Sequence, residues 1–308
     1  VCGSALLYTL SHYTNLGKIA LIEKTPQLAC INSNHTRNSQ TLHFGDIETN
    51  YTLQKAQKVN QGASLVKHYL LQNAPEQKIY TKYLKIVLAD GEAQVDKLQA
   101  RYETFKELFP DLSLIKRDEI ETLEPNVLAG RDPSEETLAL FTPEGYTVDY
   151  GKLSQSFVNA SIEHKGSDID LMLGTKVLSI ETITDADNKG QDETGHEHFA
   201  MTLAGSDRKT YKKTLRAKTV VVASGAHSLL FAKKLGYGKD YALLSVAGSF
   251  YFAPHLLNGK VYTVQLAKLP FAAIHGDPEV HDCNQTRFGP TAKVMPMLER
   301  GNYATIYQ

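Results

Sequence analysis

A glycine-led helix, an apolar strand closing on an acid, and a second strand–glycine turn far downstream predict an α/β chain. The expected architecture is a Rossmann-like domain with an inserted α+β domain built on a mostly antiparallel sheet. The first observation is the opening run Val1-Cys2-Gly3-Ser4-Ala5-Leu6-Leu7, followed by Lys18-Ile19-Ala20-Leu21-Ile22-Glu23-Lys24. It reads as the back half of a dinucleotide-binding βαβ unit. Gly3 takes the place of the last glycine of G-x-G-x-x-G, where a helix must pack close on a strand. Glu23, 20 residues on, stands where an acid accepts the hydroxyls of a ribose. The second observation is Thr219-Val220-Val221-Val222-Ala223-Ser224-Gly225, a β-branched run that turns on glycine and predicts a strand returning to the same parallel sheet. The third is the set of short strand patterns after residue 174, which read as antiparallel.

The elements follow in order. Residues 4–14 place Ala5, Leu6, Leu7, Leu10 and Tyr13 on one broad face and predict a buried helix. Lys18–Glu23 is apolar in its middle, as a central parallel strand is. Residues 28–51 are rich in Asn, Ser, Thr, His and Gly without a period, which predicts a long polar loop, a sign of either function or disorder. Residues 53–73 and 92–109 are helical in pattern; in the second, Val95, Leu98, Tyr102, Phe105 and Phe109 recur at three or four residues. A short helix ends in Glu121–Asn126, because Pro125 disfavours helix in the residue before it. Tyr150–Lys165 carries Leu153, Phe157 and Ala160 on one face and predicts a helix. Thr175–Thr182, 199–203 and 208–216 predict strands around a polar hairpin tip at 184–198. Ser249–Phe252 and Val261–Val264 are strand-like, and Asn302–Gln308 reads as a further strand. The expected division is 1–66 and 140–236 for the nucleotide-binding domain, and 67–139 and 237–308 for the substrate domain.

Composition bounds the function. At 308 residues the chain can bury a large core in two domains. A formal net charge of −1 gives no general attraction to nucleic acid or acidic lipid. No apolar run approaches the length of a membrane span. Cys2, Cys30 and Cys283 are odd in number and scattered, which fits a reducing compartment, predicts no disulfide framework and lacks the spacing of a metal site. The abrupt start and end lead to the expectation of a chain truncated at both ends.

Two further segments carry chemistry. Asn38-Ser39-Gln40-Thr41-Leu42-His43-Phe44-Gly45 combines small polar residues and glycine, which permit close backbone approach, with an imidazole. Lys268-Leu269-Pro270-Phe271-Ala272-Ala273-Ile274-His275-Gly276-Asp277-Pro278 precedes Thr286-Arg287-Phe288-Gly289-Pro290, so apolar strands are expected to end in His-Gly and Arg-x-Gly-Pro. An imidazole can take a hydroxyl proton at neutral pH and a guanidinium can pair with a carboxylate, a combination suited to oxidising a hydroxy acid.

These segments, together with Glu48–Thr52, Glu121–Asn126, Val246–Phe252 and Gly259–Gln265, resemble the FAD-dependent oxidoreductases related to D-amino-acid oxidase and glycerol-3-phosphate dehydrogenase. Within that group the likeness is nearest to the malate:quinone oxidoreductases; the L-2-hydroxyglutarate oxidases are similar across the same loop and the same His-containing strand. The resemblance implies an FAD site in which Gly3 faces the pyrophosphate, Glu23 holds the adenosine ribose with Lys24 beside it, and Asn38, Ser39, Gln40 and Thr41 run along the flavin. Val177 would meet the adenine through its backbone, and Ala223, Ser224 and Gly225 would close over the nucleotide. His43 and His275 are then the candidate base and substrate contacts, and Arg287 the candidate carboxylate clamp; which histidine is the base stays open. The implied reaction is oxidation of (S)-malate to oxaloacetate with electrons passed to a quinone. The implied setting is cytoplasmic, with peripheral contact at the inner face of the membrane and no nucleic-acid partner. The alternatives are a 2-hydroxyglutarate or other 2-hydroxy acid oxidase, and a non-catalytic FAD-binding module.

Overall fold

The computed structural model describes residues 1–73, 78–183, 198–205, 212–265 and 273–306. Along the chain, α1 (Cys2–Tyr13) leads to β1 (Lys18–Ile22), and β2 (Thr41–Leu42) precedes α2 (Leu53–Asn73), β3 (Tyr80–Asp90) and α3 (Glu92–Phe105). Then come β4 (Ser113–Lys116), α4 (Arg117–Leu123), α5 (Pro125–Leu128), β5 (Thr137–Val148), α6 (Tyr150–His164) and β6 (Asp168–Met172). The strands β7 (Thr175–Ile183), β8 (His198–Gly205) and β9 (Lys212–Ala217) precede α7 (Ser228–Lys234). The last strands are β10 (Val246–Ala247), β11 (Tyr251–Pro254), β12 (Lys260–Thr263), β13 (His275–Pro278), β14 (Gln285–Gly289) and β15 (Lys293–Val294).

The chain divides into two compact units. One comprises Val1–Asn38, Tyr150–Ser245 and Met295–Gln308; the other comprises Ser39–Asp149 and Val246–Val294. The crossings thus fall at 38/39, 149/150, 245/246 and 294/295, where the sequence reading puts them at 66/67, 139/140 and 236/237.

In the first unit β1 and β6 pair in parallel, from Lys18↔Asp168 to Ile22↔Met172. Helices α1 and α6 pack together through a ridge of small residues and Leu7. Ser4, Leu7 and Ser11 are buried on α1, and Leu153, Ser154, Phe157, Val158 and Ser161 on α6. The buried hydroxyls of Ser11, Ser154 and Ser161 donate to carbonyls three or four residues back, so close helix approach leaves them satisfied. The packing ridge is therefore narrower than the apolar face expected, and Tyr13, placed on that face from the sequence, is 74% exposed. Strands β7, β8 and β9 form an antiparallel meander. The polar segment 184–197 between β7 and β8 lies outside the described residues.

Three expectations fail in this unit. Residues 219–223 join no ladder, and Val221 is exposed; without a hydrogen-bonded neighbour among the described residues, β-branching alone does not make a strand. For the same reason β1, which among the described residues pairs with β6 alone, is not a buried central strand. The expected terminal strand is also absent among the described residues: Tyr303–Thr305 is a 3₁₀ turn. There Thr305 Oγ1 accepts from the backbone of Leu298 and Glu299 and donates to Asn302, so the backbone polar groups close on themselves.

The second unit is built on a sheet ordered β11-β14-β13-β12-β3-β5-β2, with β4 also on β5. It is antiparallel throughout except where β12 lies parallel to β3. Because successive side chains alternate faces, Ile86 and Leu88 lie on one face with Ile115, Ile120 and Leu128, and Val87 and Ala89 lie on the other with Val95, Leu98 and Phe105 of α3. Both faces of the central strands are covered, which is why the run Ile86-Val87-Leu88-Ala89 has no polar member. Glu124 precedes Pro125 as expected: α4 ends at Leu123, and Pro125 opens α5.

Candidate active site

The second unit carries a row of charged residues on its α3-side face. Cross-strand partners share a face, so the registers Lys260↔Lys85, Tyr262↔His275 and Asp277↔Arg287 align Lys85, Lys260, Asp277, Arg287, His275 and Tyr262. Lys85 is 1% exposed and Lys260 0%. Like charges directly opposite on neighbouring strands repel, and burial sharpens the cost. Each lysine is relieved by its own carboxylate. Lys85 Nζ donates to Asp46 at 2.7 and 2.9 Å, and Lys260 Nζ donates to Asp277 Oδ2 at 2.6 Å.

Arg287 Nη2 donates to the same Asp277 oxygen at 2.7 Å and to the carbonyl of Ser39 at 3.1 Å. Its guanidinium also lies over the Phe250 ring. Arg287 is thus largely engaged within the protein, with Nε buried and without a partner. Burial works to raise the Asp277 pKa, but Lys260 and Arg287 outweigh it and hold the carboxyl below its ordinary value. Burial pulls the Lys260 ammonium down while Asp277 opposes the shift. With Asp277 ionised between two cations, the triad is charged.

His275 opens β13 and does not end a strand, and Arg287 sits in the middle of β14; the segment 266–272 lies outside the described residues. The reason is the turn after Pro278: Glu279 and Gln285 return the chain directly into β14, so His275 falls at the start of a hairpin arm. The ring is 5% exposed, stacks on Tyr262 at 4.7 Å and meets Phe250 edge-on at 5.4 Å. Its Nδ1 donates to the Ala273 carbonyl at 3.1 Å, since a carbonyl can only accept. Nε2 is therefore the acceptor, and it is buried without a partner. Burial pushes this imidazole down to about 4, against the pull of Asp277.

His43 follows β2 and is 39% exposed at its side chain. Its Nδ1 contacts Glu48 Oε1 at 2.5 Å. Burial works to raise the Glu48 pKa, but the hydrogen bond from His43, the charge of His43 and Lys85 together lower it. An ionised carboxylate only accepts, so His43 carries its proton on Nδ1 and offers Nε2.

The polar run before His43 is built tightly. Gln40 is buried with φ +56°, a region L-residues seldom adopt, and both ends of its amide are held: Nε2 donates to Glu279 and Oε1 accepts from Val280 N. Thr41 Oγ1 accepts from Lys260 Nζ at 3.2 Å and lies 3.3 Å from the Tyr262 hydroxyl. The structure therefore brings Ser39, Gln40, Thr41, His43, His275 and Arg287 into one unit. The sequence reading missed Glu48, Lys260 and Asp277 as members of the cluster, together with Asp46 and Lys85. A lysine inside the apolar strand at Lys85, and another after Gly259, were the signals available.

The remaining predicted residues lie in the first unit. Gly3 is in the first turn of α1, and a Cβ there would meet Ala223 at 3.5 Å and Leu21 at 3.7 Å. So the 219–223 segment does pass beside Gly3. Glu23 follows β1, and its Oε1 accepts from the Thr25 backbone at 2.8 Å and hydroxyl at 2.9 Å. Lys24 pairs with Glu299, and burial lowers its pKa. Asn38 Nδ2 donates to the carbonyls of Asn32 and Asn34, closing its loop. Val177 lies at a shift in the β7–β8 register, where the ladder passes from Val177 to Ser179. Ser224 contacts Ser228, and Gly225 has φ +57°, so glycine is needed where the extended run turns into the 3₁₀ helix before α7.

A family model described as malate:quinone oxidoreductase (Mqo) matches residues 1–307. The probable malate:quinone oxidoreductase of Campylobacter jejuni is 41% identical over 309 aligned residues, covering 97% of this chain and 64% of its own length. The malate:quinone oxidoreductase of Helicobacter pylori is 39% identical over 304, covering 97% and 63%. The chain thus spans just under two thirds of the length of these relatives. Among solved structures, L-alpha-glycerophosphate oxidase from Mycoplasma pneumoniae, described as dithionite-reduced with FAD bound, superposes with a TM-score of 0.68 at 18% identity, covering 94% of this chain and 68% of that one. Glycine oxidase from Geobacillus kaustophilus gives 0.65 at 17%, covering 95% and 68%. The expected fold is borne out by these likenesses, and with a family match along residues 1–307 the chain belongs to the malate:quinone oxidoreductase family.

Proposed function

We propose that this chain forms the core of an FAD-dependent enzyme that oxidises (S)-malate to oxaloacetate and passes the electrons to a quinone. The observation that carries the reading is the pair of imidazoles, His43 and His275, each with Nδ1 tied and Nε2 left as acceptor, beside a buried row of cations. Such a face can take a hydroxyl proton from an anionic substrate. Relatives named for malate and quinone, about 40% identical, support the same reading.

The donor set of the first unit fits FAD. The first N–H groups of the 12-residue helix α1 have no intrahelical acceptor, and a helix N-terminus suits a pyrophosphate. Gly3 keeps that turn free of a side chain, and Glu23 offers a carboxylate to a ribose. The register shift at Val177 frees backbone groups of the kind that could read an adenine. When bound, the flavin supplies the hydride acceptor. The chain's own residues orient the substrate and hold its proton: the Lys260–Asp277–Arg287 triad, two cations on one carboxylate, leaves a net positive charge that biases the face toward anions, and Tyr262 and Phe250 wall His275 from water. Use of a quinone goes with contact at a membrane surface; no helix among the described residues is long and apolar enough to cross one.

The test is made on the flavin-loaded protein, kept anaerobic and mixed in turn with malate, 2-hydroxyglutarate and glycerol 3-phosphate. Bleaching of the flavin by malate, with reoxidation by a short-chain quinone, is the expected result. Bleaching by 2-hydroxyglutarate alone would move the assignment to that substrate, which is one methylene longer and separable by about 1–3 kcal/mol of binding. A protein that takes up no flavin would sink the reading.

A further inference from the structure

The two histidines are built differently, and the difference assigns their roles. The loop carrying Glu48 is fixed by contacts that do not involve His43. Asp46 is held by Lys85 and by the Thr142 hydroxyl, and Ile47 is buried in the core. Arg101 of α3 donates to the carbonyls of Gly45, Asp46 and Tyr51. Gly45, at φ +87°, presses so close to α2 that a Cβ would come within 2.7 Å of Ala56 Cα. The loop would keep its shape without the Glu48 side chain.

That carboxylate is nonetheless placed below the surface, with Oε1 on His43 Nδ1 at 2.5 Å and Oε2 buried without a partner. Desolvating a carboxylate to hold a half-exposed imidazole costs more than a surface ion pair returns, so stability does not account for it. What the pairing does is fix one tautomer and one ring orientation, with a carboxylate behind the ring to stabilise the imidazolium. His275 lacks such a partner: its Nδ1 is held by the neutral Ala273 carbonyl, and its ring is packed between Tyr262 and Phe250.

We propose that Glu48 is a positioning residue that makes His43, and not His275, the proton acceptor of the reaction. This rests on the reading of the site as one that oxidises a hydroxy acid. In the step, the substrate O–H bond breaks and its proton forms an N–H bond at His43 Nε2. The C2–H bond breaks with its electron pair passing to the flavin, and C2–O becomes a carbonyl. Substrate loses two electrons and the flavin gains them. The charged and titratable groups around the dyad are Lys85 on β3, Arg101 on α3, Tyr262 on β12, His275 on β13, and Asp46 and Tyr51 on the loop itself. His275, neutral and buried, remains a hydrogen-bond group for the substrate.

The experiment compares Glu48→Gln, Glu48→Asp and His275→Gln in the flavin-loaded protein. Glu48→Gln should lower kcat about 10²-fold with little change in the malate KM, and shift the acid limb of the kcat/KM profile to lower pH. Glu48→Asp should recover part of the loss. His275→Gln should raise KM and leave the acid limb where it was. Proton NMR gives a readout separate from turnover. A downfield Nδ1 proton from the His43–Glu48 hydrogen bond is expected in the wild type and in His275→Gln, and should vanish in Glu48→Gln while the melting temperature holds. If that resonance survives Glu48→Gln, or if His275→Gln rather than Glu48→Gln moves the acid limb, the proposal is overturned. A protein that malate does not reduce would refute the functional reading instead, and the NMR comparison would still judge the dyad.

Discussion

On the function proposed, the two units present a binding surface in opposite ways. The first would offer mainly backbone: a helix start at Gly3, a register shift at Val177 and a glycine turn at Gly225, with Glu23 the principal charged contributor. The second offers side chains, with Lys85, Lys260, Asp277 and Arg287 buried on one face of a sheet. A backbone site needs little electrostatic upkeep. A site of buried charges stands only while each ion keeps its partner, so the same kind of substitution should be far more damaging in the second unit than in the first.

The sharpest way to break this contrast is Asp277→Ala. It strips the shared carboxylate from Lys260 and Arg287, leaves two buried cations unpaired, and should destabilise the protein by about 3–5 kcal/mol in a urea titration. A loss below 1 kcal/mol would mean that the triad is not held as an ion cluster.

A pH titration of stability is the next test. His275 in the folded protein is lowered to about 4 from an ordinary value near 6.5, so the unfolded chain binds the extra proton first. Stability from this group is complete above about 6.5 and falls as pH drops toward about 4, by about 3 kcal/mol at the most. Asp277, whose carboxyl lies below its usual value, loses its contribution only at lower pH still, so the two windows separate. The difference between wild type and His275→Gln over that upper window isolates the imidazole; parallel curves would contradict its buried neutral state.

The smallest expected effect belongs to the first unit. Glu23→Gln should leave the melting temperature of the flavin-free protein almost unchanged and weaken FAD binding about 10-fold, as loss of a charged hydrogen-bond acceptor does. Calorimetric titration with FAD measures it. A large drop in stability with unchanged affinity would make Glu23 a structural residue of the turn at Thr25.

The same contrast explains what could be read from the chain beforehand. Helices α1, α2, α3 and α6 follow from period and punctuation, because those signals are local. The 219–223 run looked like a strand because β-branching is local too, whereas its lack of a ladder partner is not. Glu48, Lys260 and Asp277 stand in segments the sequence singles out, but nothing local marks these three residues within them. Their importance arises only from registers such as Lys260↔Lys85, which join residues far apart in sequence. A lysine in a strand is unremarkable until the strand beside it is known. Arg287 shows the converse: its residue type invited a role toward a substrate carboxylate, and its geometry reveals Asp277 and the Ser39 carbonyl as its partners.

The parallel pairing of β12 with β3 has a consequence for how the molecule is made. The second unit's sheet is assembled from two stretches of chain, Ser39–Asp149 and Val246–Val294, so its earlier half leaves the ribosome long before the later one. Each half carries its own counter-charge: Lys85 meets Asp46 in the first, and Lys260 and Arg287 meet Asp277 in the second. The joining of β12 to β3 then brings together two pieces in which Lys85 and Lys260 already have a carboxylate, while the buried Glu124 of the earlier stretch gains the Asn258 and Gly259 N–H groups only when the later one arrives.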